Sequence, residues 1–147
     1  MAQAMIDSVL GQEEGGVFYV PGPVDARHAQ AAAKKANLAF FHIDGRNVQR
    51  KEQLMNALAT AFRLPAHFGK NWDALEESLI DLEPVDGKGY FLLYDHIDPL
   101  LEAHPDQFQT LVEILRDAVQ SWQEDETVLK VVLSGAKAPK GVTKARA

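Results

Sequence analysis

The chain contains no cysteine. That excludes disulfides, thiol catalysis and Cys-based zinc or iron–sulfur sites, and it fits a reducing compartment. Long apolar runs are missing too: nothing approaches the roughly 20 residues that a membrane-crossing helix needs. The amino terminus, MAQAMIDSVLGQEEGG, lacks a basic region followed by an apolar stretch, so it does not read as a signal peptide. Metal and catalytic spacings are absent as well. His28, His42, His67, His96 and His104 form no HExxH or similar close pair. There is no GxGxxG, and Gly69-Lys70-Asn71 is not a phosphate loop, because Ser or Thr should follow the lysine. These absences lead to the expectation of a soluble cytoplasmic protein that needs no cofactor or metal.

What is present is enough for a folded core. The chain has 147 residues, of which 46% are hydrophobic and 24% charged, which is not a disordered composition. One domain is the simplest division, and folding at this size buries roughly 68–70% of the unfolded surface. The net charge of −6 conceals an asymmetry. Lys137, Lys140, Lys144 and Arg146 stand in the last twelve residues without any acid, which leaves the first 135 at −10. Such a body repels nucleic acid and draws basic partners at low salt. Residues 136–147 read as a frayed basic tail.

Short apolar strands alternate with helical segments. Val17–Val20 is a strand ended by the turn residues Pro21, Gly22 and Pro23. Asp25–Ala36 is an Ala-rich helix with Asn37 as a left-handed cap. Leu38–Ile43 is the second strand, stopped by Asp44-Gly45. Gln49–Phe62 is helical, with Leu54, Leu58, Ala61 and Phe62 on one face, and Pro65 prevents it from running on. Tyr90–Tyr94 is a third strand after the turn Gly87-Lys88-Gly89. Pro105 opens a long helix to Trp122, and Val128–Leu133 is the last strand. Trp122 and Phe91 read as core. The fold class expected is α/β: a small parallel sheet of about four strands with helices packed on it.

The most informative stretch is Leu64–Leu79, LPAHFGKNWDALEESL. Between Asn71 and Gly87 there is no Lys or Arg but there are six acids: Asp73, Glu76, Glu77, Asp81, Glu83 and Asp86. Trp72, Leu75, Leu79 and Leu82 recur at helical spacing and should face the core. Asp73, Glu76 and Glu77 share the opposite side. Asn71 is placed as the N-cap, and Gly69 permits the turn before it. Each residue alone has an ordinary explanation as a cap, a dipole partner or a solvated side chain. As a group they lack the Lys partners of a solvated helix, and His67 and Phe68 stand beside them. An aromatic-plus-acid cluster at the start of a rigid helix is what an interface anchor looks like.

These residues resemble the barstar family, intracellular inhibitors of barnase-type ribonucleases. The match is LPxxxGxNxDALxxxL over Leu64–Leu79, with FFHIDG and YFLLYD around it and EILRDA and VVLSG further on. It covers about Phe40–Gly135. The resemblance implies a barstar-like domain over residues 1–135, with 38–135 as its core and 1–37 as an amino-terminal strand–helix addition found in one branch. It implies an immunity protein with no enzymatic activity, whose acidic helix and preceding loop occlude the phosphate-binding groove of a small basic ribonuclease. By position, Glu77 is the phosphate-mimicking carboxylate, Asp73 the second acid and Asn71 the contact at the helix start. His67 takes the place of an aromatic contact and Asp117 of an acidic side contact. Phe68, Trp72 and Glu76 complete the expected partner-binding set. Glu77 stands where the family usually has Asp, Glu76 where its best-known member has Trp, and Ser78 where Cys is common. These departures point to a different or weaker partner.

Two other readings come from different classes. A signalling or ligand-binding α/β domain would use Asp44 and Asp95, both at the carboxyl ends of expected parallel strands. Asp95-His96-Ile97-Asp98 has residues able to hold a divalent ion, although a strand end entering a loop is the plainer role. An active ribonuclease would need clustered His with Arg or Lys, and a body at −10 argues against it.

Overall fold

The computed structural model of the protein describes residues 2–64, 71–82 and 89–146. In chain order its elements are α1 (Ala2–Gly11), β1 (Gly16–Pro21), α2 (Ala26–Lys35), β2 (Leu38–Asp44), a 3-10 turn (Gly45–Asn47) and α3 (Lys51–Ala61). Then follow α4 (Trp72–Asp81), β3 (Gly89–Asp95), α5 (Asp98–Ala103), α6 (Pro105–Glu124), β4 (Val128–Gly135) and β5 (Thr143–Lys144). The strands form one sheet in the order β2-β3-β4-β1-β5, and every pair is parallel.

Local chemistry explains most boundaries. The Asp25 side chain accepts a hydrogen bond from the Arg27 backbone N–H and so caps α2. Asn37 ends that segment at φ 62°, the left-handed conformation that Asn tolerates better than most residues. Pro105 is the first residue of α6, where a missing N–H costs nothing. β3 is buried along its whole length, which is why Tyr90–Tyr94 reads as an unbroken apolar run.

Two apolar clusters lie on opposite faces of the sheet. The larger joins Tyr90, Leu92, Tyr94, Leu129 and Val131 to α3, α4, α5 and α6. The smaller joins Val20, Phe91, Leu93 and Val132 to α1 and α2. The result is a three-layer α/β/α arrangement. α6 presents Phe108, Leu111, Val112, Leu115, Val119 and Trp122 inward, the stripe expected from its spacing.

Three features depart from the sequence reading. Residues 2–11, to which the pattern assigns no element, form α1, and bury Met5, Ile6, Val9 and Leu10. Residues 98–103, to which the pattern likewise assigns no element, form α5. The basic tail carries a further strand, which the pattern does not show. Thr143 and Lys144 pair with Phe18 and Tyr19 of β1 as a fifth strand, and Val142 and Ala145 are buried. The lysines of the tail point to solvent, but the small apolar residues between them have a sheet edge to cover.

Lys130 ties α1 to the sheet. It sits on β4 with only 2% of its surface exposed, and its ammonium donates to the carbonyls of Val9 and Leu10 at 2.9 and 3.1 Å, and to that of Gln12. Val9 and Leu10 lie in the last turn of α1 and Gln12 just beyond it, where carbonyls lack intrahelical N–H partners and a cation is favoured. Burial lowers the pKa of this lysine. Lys130→Met keeps the apolar stem and removes the donors. It should cost about 1–3 kcal/mol and release α1 first. Hydrogen exchange should show α1 amides losing protection while β3 amides keep theirs. Uniform loss across both would disprove this local role.

Candidate partner-binding site

The site is built on α4. Asn71 caps it: its side-chain oxygen accepts from the Ala74 backbone N–H at 2.8 Å, as the sequence predicts. Leu75 and Leu79 are fully buried, and half-buried Trp72 and Leu82 pack against the same core. The Lys51 ammonium from α3 lies 5.5 Å from the centre of the Trp72 ring, a cation–π contact. Trp72 is thus both a core residue and part of the surface beside the acids.

The opposite face carries the charge. Asp73, Glu77 and Asp81 are exposed and Glu76 is half-buried. No basic residue occurs within α4, and among the described residues no salt bridge reaches any of these acids. Asp73 lies in the first helical turn, next to the positive end of the helix dipole. The last turn has no cation to offset Asp81. Among the described residues this face therefore concentrates negative charge on a helix packed against the core.

Ile80 belongs to the same face and carries no role in the sequence reading. It is three residues beyond Glu77 and seven beyond Asp73, and 45% of its surface is exposed, more than any other large hydrophobic side chain among the described residues. The signal was legible: Ile80 falls outside the stripe Trp72, Leu75, Leu79 and Leu82, so an apolar residue had to face outward.

α6 fixes where α4 lies. The Trp122 indole N–H donates to the Leu79 carbonyl at 2.9 Å inside the core. That adds a second donor to a carbonyl of the last turn of α4, which otherwise accepts the long 3.4 Å capping bond from the Leu82 N–H. Asp117, also on α6, is exposed and lies about 140° around the helix from Trp122. The described contacts do not bring it together with Asp73 and Glu77. His67 and Phe68 lie outside the described residues.

A second cluster stands at the carboxyl ends of β2 and β3. One ligand atom each from Asp44, Asp95 and His96 lies within 4.8 Å of the others. Gly45 allows this approach, since a Cβ there would collide with the Asp95 and His96 carbonyls. The Arg46 guanidinium grips Asp44 through bonds of 2.5–3.0 Å and holds its carboxyl down to about 2. His42 Nε2 lies 3.1 Å from Asp95 Oδ1, and this hydrogen bond raises the histidine pKa against the opposing effect of burial.

The His42 shift has a definite sign. A folded-state pKa above the ordinary 6.5 means that the folded protein holds the proton more tightly than the unfolded chain. The stabilisation is complete below 6.5 and fades as pH rises through the higher folded value. The stability difference between wild type and His42→Gln should therefore shrink upward from that pH. Urea unfolding across the neutral range measures it, and a difference independent of pH would contradict the assignment.

A family model described as Barstar (barnase inhibitor) matches residues 38–134. The match begins at the first residue of β2 and leaves α1, β1, α2 and β5 outside it. No curated protein sequence matches the chain.

Proposed function

The chain belongs to the barstar family, a family of barnase inhibitors rather than enzymes, and from that premise we propose that it blocks a small basic ribonuclease through α4 and the residues before it. The observation that carries this reading is the exposed face of α4: acids with no cation among them and no salt bridge from any described residue. A ribonuclease groove concentrates Arg, Lys and His to stabilise phosphoryl charge. Carboxylates held in advance on a capped, core-packed helix present the complementary charge without a cost of ordering. Glu77 and Asp73 take the places of phosphates in this reading. Asn71, Trp72 and Glu76 flank them, and His67, Phe68 and Asp117 are the outer contacts. Ile80 adds an apolar point that the target must match. The role is that of a cytoplasmic immunity protein acting on a nuclease of the barnase type.

Titration of such a nuclease with the purified protein tests the proposal. RNA cleavage should fall linearly to zero at equimolar protein, and the complex should weaken with added salt, since the attraction is screened. Full cleavage in large molar excess of the protein would sink it for that nuclease. Pull-down from the source lysate, read by mass spectrometry for small basic proteins, extends the test to others.

The cluster of Asp44, Asp95 and His96 supports a second reading, a cation- or ligand-binding domain. It ranks second because Arg46 already holds Asp44 and His42 already holds Asp95. Magnesium titration followed by NMR decides it: unchanged resonances at these residues remove it.

A further inference from the structure

The two edges of the sheet are built differently. At one edge stands β5, two residues long and carrying Lys144. A short strand with a lysine is how proteins prevent edge-to-edge pairing. At the other edge stands β2, seven residues long, LAFFHID, with no lysine and no proline. Among the described residues, β2 pairs with β3 alone, and no backbone hydrogen bond reaches its outer side. Phe40 and Phe41 are half-buried there, one on each face of the sheet. Phe41 packs on Phe62 and Tyr90 with ring centres 4.8 and 4.9 Å away, and Phe40 stacks on His42 at 6.2 Å. A groove of about 760 Å³ runs along this edge, with Phe40, Phe41, Phe62, Lys34 and Arg63 among its walls.

We propose that the outer edge of β2 pairs with β2 of a second copy, antiparallel about a two-fold axis at Phe41, to join two sheets into one. The charges favour this occupant. Lys34 and Arg63 flank the amino-terminal end of β2, while at its carboxyl end Asp44, held by Arg46, and Asp95, bonded to His42, leave a weakly negative end. An antiparallel two-fold pairing sets each basic end against the weakly negative end of the other copy, twice, and keeps the two basic ends apart. The same register places Phe41 opposite Phe41, and Phe40 opposite His42, of the second copy. These are aromatic cross-strand pairs, which stabilise a sheet. The surface lies on β2 and does not depend on what α4 binds.

The chain has no cysteine, so a single introduced one reports the pairing cleanly. In this register Cα atoms of the two Phe41 positions lie about 4.5–5.5 Å apart, inside disulfide range. Those of the two Ala39 positions lie about 13 Å apart, outside it. Under mild oxidation Phe41→Cys should run as a covalent dimer on a non-reducing gel and Ala39→Cys should not. Wild-type protein in sedimentation equilibrium should double its mass from 16.2 kDa as concentration rises. Phe40→Lys, which charges the edge, should raise the dissociation constant at least about tenfold. A wild type that stays monomeric at the highest soluble concentration overturns the proposal, as does a dimer that cross-links through residue 39 and not 41. Exchange protection of β2 amides appearing only when another protein is added would give this edge to a different partner and likewise overturn it.

Discussion

Glu77→Ala should weaken nuclease binding more than any other single truncation on α4, with Asp73→Ala next, and neither should unfold the protein. Glu77 is exposed, sits one helical turn from Asp73, and has no salt bridge with any described residue. Removing it therefore breaks no salt bridge among the described residues. Stability should stay within about 0.5 kcal/mol of wild type. Binding is different, because a carboxylate at the centre of a desolvated interface leaves its cationic partners unpaired when it is cut away. A loss of about 2–4 kcal/mol is expected, a magnitude that draws partly on barnase–barstar itself and so is carried over from the family. It corresponds to roughly 30- to 1000-fold in dissociation constant. Calorimetry of the complex together with urea unfolding of the free variants separates the two effects. If the Asp73→Ala/Glu77→Ala double variant binds as tightly as wild type, the interface has been put on the wrong face.

Trp122→Ala should give the largest loss of stability, about 3–5 kcal/mol, and should weaken nuclease binding although Trp122 never touches the partner. The indole fills the core against Tyr90, with ring centres 5.0 Å apart and nearly perpendicular, and donates to Leu79 of α4. Its removal leaves a cavity and takes the indole donor from the Leu79 carbonyl, which is left with the 3.4 Å bond from the Leu82 N–H. α4 then loses the contact that fixes its last turn, and the carboxylates lose their preset geometry. Trp122→Phe separates the contributions: it keeps a ring against Tyr90 but not the N–H. It should cost about 0.5–1.5 kcal/mol for the lost hydrogen bond, plus whatever volume the smaller ring leaves empty. Stability equal to wild type in Trp122→Phe would show that the hydrogen bond contributes nothing, and unchanged nuclease affinity in Trp122→Ala would show that α6 does not position α4.

Much of the candidate site was legible because its determinants are local. Asn71 caps α4 through a bond to a residue three positions away, a relation any helix start offers to Asn. Leu75 and Leu79 point inward for the same periodic reason that Glu77 and Ile80 point outward. α1 escaped the pattern because ten residues form no stable helix alone. Its order comes from burial against α2 and the sheet, and from Lys130, about 120 residues away in the chain. β5 escaped it for a similar reason: two residues make no periodicity, and the strand exists only because β1 offers an edge.

What the sequence determined by itself was the alternation of strands and helices, the parallel sheet, and an acidic face whose members are related by helical spacing. Each follows from interactions between near neighbours, so reading along the chain recovers them. The tertiary structure alone decided which strand stands at each edge, that Lys130 closes α1, that Trp122 holds α4, and that Asp44, Asp95 and His96 meet. Those depend on contacts between residues far apart in sequence, whose direction is set by packing across the sheet, and no local period encodes them.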